Sequence, residues 1–304
     1  MVTARPDPAA GPGGTVEPWA ADLIRQLAIP GLIDVHSHFM PEQVMRKVWG
    51  VFDRADEVYG VPWPVEYRAD AETRLATLRS FGVVAFTSMI YAHKPGMSAW
   101  LNEWALQFAA ETPGSLATAT FYPESGVRDY VQRAIDGGTK VFKVHLQVGD
   151  FDPRDRQLRD VWAMLADAAI PVVVHCGSGP APGRYTGPGP IGDVLAEHPG
   201  LSLIVAHMGA PEYADFLALA ERYRAVRLDT TMAFTAFMER LAPFPDGSKG
   251  SLREAGLRGD VLFGSDFPNI PYPYADAVDA LVRLDLGDQW LRQVLFGAAA
   301  ELFG

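Results

Sequence analysis

From residue 31 to the end of the chain, short apolar runs alternate with longer stretches whose apolar positions recur at helical spacing. This is the pattern of repeated strand-then-helix units. Eight runs read as strands: GLIDVH, GVVAFTSM, SLATATFY, TKVFKVHL, PVVVHC, LSLIVAH, AVRLDTT and DVLFGSD. Each is apolar on both alternating faces, as parallel strands covered by helices must be. Between them the spacing predicts helices in AETRLATLRSF, SAWLNEWALQFAAET, GVRDYVQRAID, DRQLRDVWAMLADAA, PIGDVLAEH, APEYADFLALAERY, residues 250 to 256, and YADAVDALVRLD. A doubly wound open sheet gives a similar pattern, but eight units in about 270 residues fit a closed barrel better. The expected fold is therefore α/β, a (β/α)8 TIM barrel with a long insertion after strand 1.

That insertion, FMPEQVMRKVWGVFDRADEVYGVPWPVEYRAD, is rich in aromatics and prolines and is expected to fold over the barrel mouth. A second long connection, MAFTAFMERLAPFPDGSKG, lies between strands 7 and 8. Long loops on a rigid barrel are where binding surfaces are built. Residues 1–30 read as a loose leader and a short N-terminal helix, and 31–304 as a single domain with no linker to split it.

Composition narrows the function classes. The chain has 304 residues, 48% of them hydrophobic, enough to bury a large core. A formal net charge of −11 without a dense Lys/Arg block leaves no electrostatic footprint for nucleic acid. With Cys176 as the sole cysteine there is no internal disulfide, which points to a reducing, cytoplasmic setting. No apolar run approaches the roughly 20 residues that span a bilayer. Dinucleotide and P-loop fingerprints are absent as well.

Polar residues gather at one end of this pattern. Of the seven histidines, five stand at or just past the C-terminal end of a predicted strand: His36 and His38 on strand 1, His145 on strand 4, His175 on strand 5 and His207 on strand 6. Asp266 does the same on strand 8. In a barrel that end is the face where active sites assemble, so all six converge on one mouth. Strand side chains alternate, so the spacing aims His36 and His38 inward together, with Asp34 one layer deeper; the same reasoning sets Lys143 beneath His145. Neutral imidazoles with a carboxylate form the ligand set of a borderline divalent cation, zinc first, with manganese or iron as alternatives. A cage of His36, His38, His175 and Asp266 leaves a position for water, with His207 beside it to take a proton.

The motifs DVHSH, VVVHC, LIVAHMG and LFGSDFP, in this order at the ends of strands 1, 5, 6 and 8, resemble the amidohydrolase superfamily. Within it they are most similar to the amidohydrolase-related branch, which holds hydrolases and also decarboxylases such as aminocarboxymuconate-semialdehyde decarboxylase. The resemblance runs from about residue 31 to VLFGAAAELFG, which looks like the family's closing helix. It implies a metal held by His36, His38, His175 and Asp266, with His207 as the catalytic histidine. In binuclear members a carboxylated lysine on strand 4 bridges two metals, and Lys143 is the candidate here. His145, two residues on, matches the mononuclear form, so one divalent metal ion is expected. The resemblance also makes a homodimer an expectation.

Two reactions suit this cage. In hydrolysis the metal lowers the pKa of its water to about 7 and polarises the carbonyl of a small cyclic ester or amide, while Asp266 or His207 carries the proton. This is the first expectation. The alternative is non-oxidative decarboxylation of an aromatic or enoic acid, which needs a cation near the carboxylate: Arg184 or Lys143. Ligand binding without catalysis is disfavoured, because every ligand position is filled. Expected substrate contacts are His145, Lys143, Arg184, His93, Asn269 and Trp63. Cys176 has the parity of an outward-facing hydrophobe, Asp229 is divided between a role behind the site and a capping role, and His198 reads as structural.

Overall fold

The computed structural model describes residues 15–304; most of the expected leader lies outside the described residues. All strand pairings are parallel. The strands are β1 (Leu32–Asp34), β2 (Val83–Thr87), β3 (Ser115–Leu116), β4 (Thr118–Thr120), β5 (Val141–His145), β6 (Val172–His175), β7 (Leu203–Val205), β8 (Val226–Asp229) and β9 (Val261–Leu262). They pair in the orders β1-β2-β3 and β4-β5-β6-β7-β8-β9. The segments β3 and β4 are halves of the one expected run SLATATFY, parted at Ala117, whose carbonyl accepts from Lys140 N at 2.7 Å. First and last strands meet through backbone bonds from Val35 N to Phe263 O (2.9 Å) and from Asp266 N to His36 O (2.8 Å). The chain thus has the (β/α)8 architecture its periodicity predicts.

Helices follow the strands where expected, among them Ala71–Ser80, Ser98–Glu111, Val127–Asp136, Arg159–Asp167, Pro188–Glu197, Tyr213–Arg222, Lys249–Arg258 and Tyr274–Arg283. None in the described chain is long and apolar enough to cross a membrane. The continuous apolar runs have a simple cause, since alternate residues serve two cores. Val141, Val173, Ile204 and Leu262 pack inside the ring against Ala298 and Ala299, so the C-terminal helix Ala298–Phe303 closes the end opposite the mouth. Their neighbours Phe142, Val172, Val174 and Leu203 pack outward beneath the helices, each such burial contributing about 1.5–3 kcal/mol. Cys176 belongs to this outer layer, as its parity predicts.

Strict alternation fails at one strand end. Asp34 was expected inside the ring below His36, but Ile33 and Val35 take the interior positions. Asp34 instead accepts hydrogen bonds from Ser265 Oγ (2.5 Å), Tyr274 Oη (3.0 Å) and the backbone N–H groups of His36 and Ser265 (both 3.1 Å). β1 ends at Asp34 and the chain bends at Val35 and His36, which resets the phase of the side chains. Asp34 thereby ties the end of β1 to the loop after β9. Burial pushes its carboxyl up to about 7 despite those four donors.

Candidate active site

His36 follows the bend after β1, His38 stands two residues on, and Asp266 lies in the loop after β9 with φ at +73°. One ligand atom from each of these buried residues lies within 4.8 Å of the others. Asp266 Oδ1 is 2.9 Å from His38 Nε2 and 3.6 Å from His36 Nε2. Hydrogen bonds fix which nitrogen of each ring is free. His38 Nδ1 donates to Met89 O at 3.1 Å, and His36 Nδ1 donates to Asp229 Oδ2 at 2.8 Å. With Nδ1 bonded behind, each ring turns Nε2 toward the Asp266 carboxylate, and so close a contact between two acceptor atoms needs a cation between them, a proton or a metal ion. This donor set, with its protonated nitrogens anchored behind, fits a divalent metal ion.

Electrostatics favours the same arrangement. Burial, reinforced by Lys143, holds His36 well below the usual imidazole range, and burial lowers His145 and His175 in the same direction. Burial also brings His207 to about 4. Neutral imidazoles are the form that binds metal. Burial alone would raise the Asp266 carboxyl, but the hydrogen bond and field of His38, with His36 and His207, outweigh it and hold the group ionised. Burial lowers Lys143 to about 8, which leaves it a cation at neutral pH, 3.1 Å from His36 Nε2.

Asp229 is the brace of the cluster. Its Oδ1 accepts from the backbone N–H groups of His207 (2.9 Å) and Thr231 (3.1 Å), while Oδ2 holds His36. In Asp229→Asn the amide oxygen stays with the two N–H groups, so Nδ2 faces His36 Nδ1 and forces the ring proton onto Nε2. Metal affinity is expected to fall about 10- to 100-fold, measured by competition with a chromogenic chelator.

The amidohydrolase family profile matches residues 33–304. The chain belongs to the amidohydrolase family. A curated relative, 6-methylsalicylic acid decarboxylase of Penicillium expansum, is 30% identical over 125 residues, which is 36% of this chain and 37% of the relative. Among solved structures, an uncharacterised TIM-barrel protein from Bordetella bronchiseptica superposes with a TM-score of 0.71 at 18% identity, covering 89% of this chain and 97% of its own. An amidohydrolase from Burkholderia multivorans with bound zinc does so at 0.60 and 15%, covering 90% and 98%.

In this family member the other expected site residues divide. Lys143, His145, His175, His207, Trp63 and Asn269 line the same pocket as the cluster. His175 stands outside the group of three: its Nε2 donates to Gly179 O at 3.0 Å, and its ring stacks on His145 with centroids 3.8 Å apart. Arg184 and His93 do not line the pocket and are exposed. The guanidinium of Arg184 lies over its neighbour Tyr185, 5.1 Å from the ring centroid. β2 ends at Thr87, and by His93 the chain has turned outward. The residue the alternation does carry inward is Tyr91, whose ring centroid lies 5.4 Å from that of His145 and 5.9 Å from that of His38.

Both long connections supply walls that sequence reading left unassigned. Phe52 and Tyr59 come from helices Glu42–Phe52 and Ala55–Tyr59 of the insertion, and Met232 and Met238 from the connection after β8. Backbone strain also concentrates at the mouth: His207, Met208, Met232, Phe234 and Asp266 all have positive φ. Such conformations are costly for residues with a Cβ and gather at functional sites.

Proposed function

We propose that the protein is a metal-dependent decarboxylase, a carbon–carbon lyase acting on an aromatic or enoic carboxylic acid. What carries this reading is the pocket's make-up: a wall of Phe52, Tyr59, Trp63, Met232 and Met238 suited to a planar apolar body, above a metal-ligand cluster with Lys143 at its side. The partial likeness to a decarboxylase of an aromatic acid supports it.

His36, His38 and Asp266 would hold the ion, and their nitrogen and oxygen donors suit zinc. A divalent ion there supplies Lewis acidity toward the substrate's oxygens. The chain does the rest. Lys143 offsets the carboxylate charge, the aromatic wall clamps the ring and keeps water away, and His207 serves proton transfer. The bond from ring carbon to carboxyl carbon breaks, its electron pair stays on the ring carbon, that carbon takes a proton, and CO2 leaves. The lone buried Cys176 suits a reducing compartment such as the cytoplasm.

Hydrolysis of a small cyclic ester or amide, the first expectation from sequence, is the second reading and draws on the family match alone. The two separate by product. Zinc-loaded protein given hydroxylated benzoic acids and enoic acids is expected to release CO2 in a chelator-sensitive manner. Acid formation from lactones, followed with a pH indicator and unaccompanied by CO2 from any acid, would establish hydrolysis instead.

A further inference from the structure

Asn269, at the far end of the DFPN stretch, has only one orientation open to it. Its side-chain oxygen Oδ1 accepts from Trp49 Nε1 at 3.1 Å, and its backbone oxygen from Trp63 Nε1 at 2.7 Å. An indole N–H can only donate, so the atom facing Trp49 is the amide oxygen, and the usual ambiguity of an amide flip does not arise. The amide nitrogen Nδ2 then points elsewhere. It makes no hydrogen bond among the described residues and is not one of their fully buried unpartnered atoms, so it keeps a small exposed area. Asn269 is 3% exposed and lines the pocket, so the free donor opens onto the pocket.

The lock has its own support. The guanidinium of buried Arg74 lies 5.6 Å from the Trp49 ring centroid and that of Arg68 lies 6.0 Å away. Among the described residues Arg74 Nη1 has no hydrogen-bond partner, while Nε donates to Asp70 O at 3.4 Å; the guanidinium also lies 5.0 Å from the Phe39 ring centroid. Two cations over an indole draw electron density from it and strengthen its N–H as a donor. Trp49 belongs to the insertion after β1, so the insertion sets the polarity of a group on the loop after β9.

We infer that Asn269, held by Trp49, is a specificity residue that reads a hydrogen-bond acceptor oxygen on the substrate's ring, away from the reacting carboxylate. The inference rests on the proposed function for the kind of ligand, an aromatic acid. The substrate class narrows to ring acids bearing a second oxygen substituent. An unsubstituted benzoic acid would leave Nδ2 dry and unpaired, a loss of about tenfold in affinity for one neutral hydrogen bond.

The test measures binding, independently of turnover. Isothermal titration of zinc-loaded protein compares benzoate with its 3- and 4-hydroxy and 3- and 4-methoxy derivatives. Wild type is expected to bind at least one oxygenated ligand about tenfold tighter than benzoate. Asn269→Leu should erase that ratio, Asn269→Asp should reverse it for the methoxy ligands, whose oxygen only accepts, and Trp49→Phe, which removes the indole donor, should reduce it, each read as the ratio to benzoate in the same variant. No preference in wild type, no binding of any of these ligands, or a preference that survives both Asn269→Leu and Trp49→Phe overturns the inference. Loss of the preference in the variants, with no CO2 released from any acid, would sink the decarboxylase reading and leave this one standing. CO2 release with an unchanged ratio would do the opposite.

Discussion

Asp266→Asn is expected to lose its metal and at least about 10³-fold in turnover, the equivalent of several kcal/mol of transition-state stabilisation. Asp266 is the only carboxylate in the ligand cluster. With it neutralised, the ion would have two imidazoles and no opposing charge to offset its desolvation. The variant isolates this effect because asparagine tolerates the left-handed backbone that Asp266 adopts at φ +73°. The melting temperature of the metal-free form should therefore stay near that of metal-free wild type. A variant that keeps a full equivalent of metal would show that the carboxylate is no ligand.

His207→Ala is expected to do the reverse, keeping the metal while losing about 10²- to 10⁴-fold in turnover, the range for removing a general acid or base. The ring of His207 lies 5.1 Å from that of His36 and 4.8 Å from that of His175, close to the cluster yet outside the group of three. Its backbone N–H, not its ring, bonds Asp229, so truncation leaves the brace of His36 intact. The backbone there has φ at +57°, which alanine adopts at some cost. His207→Asn, better suited to that conformation, should give the same kinetic loss with less effect on stability. Loss of metal in both variants would reassign His207 as a ligand.

Much of this site was legible in the chain because a barrel converts sequence position into spatial position. A histidine at the end of a parallel strand can go only to the mouth, and β5 and β6 show the rule at work, with His145 and His175 stacked side by side. The rule holds only while the strand lasts. At β1 it ends at Asp34, and the reach of His36 and His38 into the pocket comes from a bend that alternation does not foresee. Arg184 and His93 sit in loops past their strands, where spacing carries no direction, and both turned outward. Tyr91 continues the inward phase of β2 past the end of the strand, where an aromatic side chain carries no polar mark in the sequence to set it apart from the core. The roles of Asp229 and Trp49 depend on which face of a ring or amide they meet across long sequence separations. No local pattern encodes that pairing.

His36, His38 and Asp266 are proposed to hold one divalent metal at the mouth of the barrel. Elemental analysis of protein dialysed against chelator and then zinc tests it most directly, with Asp266→Asn and His207→Ala run in parallel. About one equivalent is expected in wild type and His207→Ala, and well under one in Asp266→Asn. Equal metal content in all three proteins, or none in wild type, would contradict it.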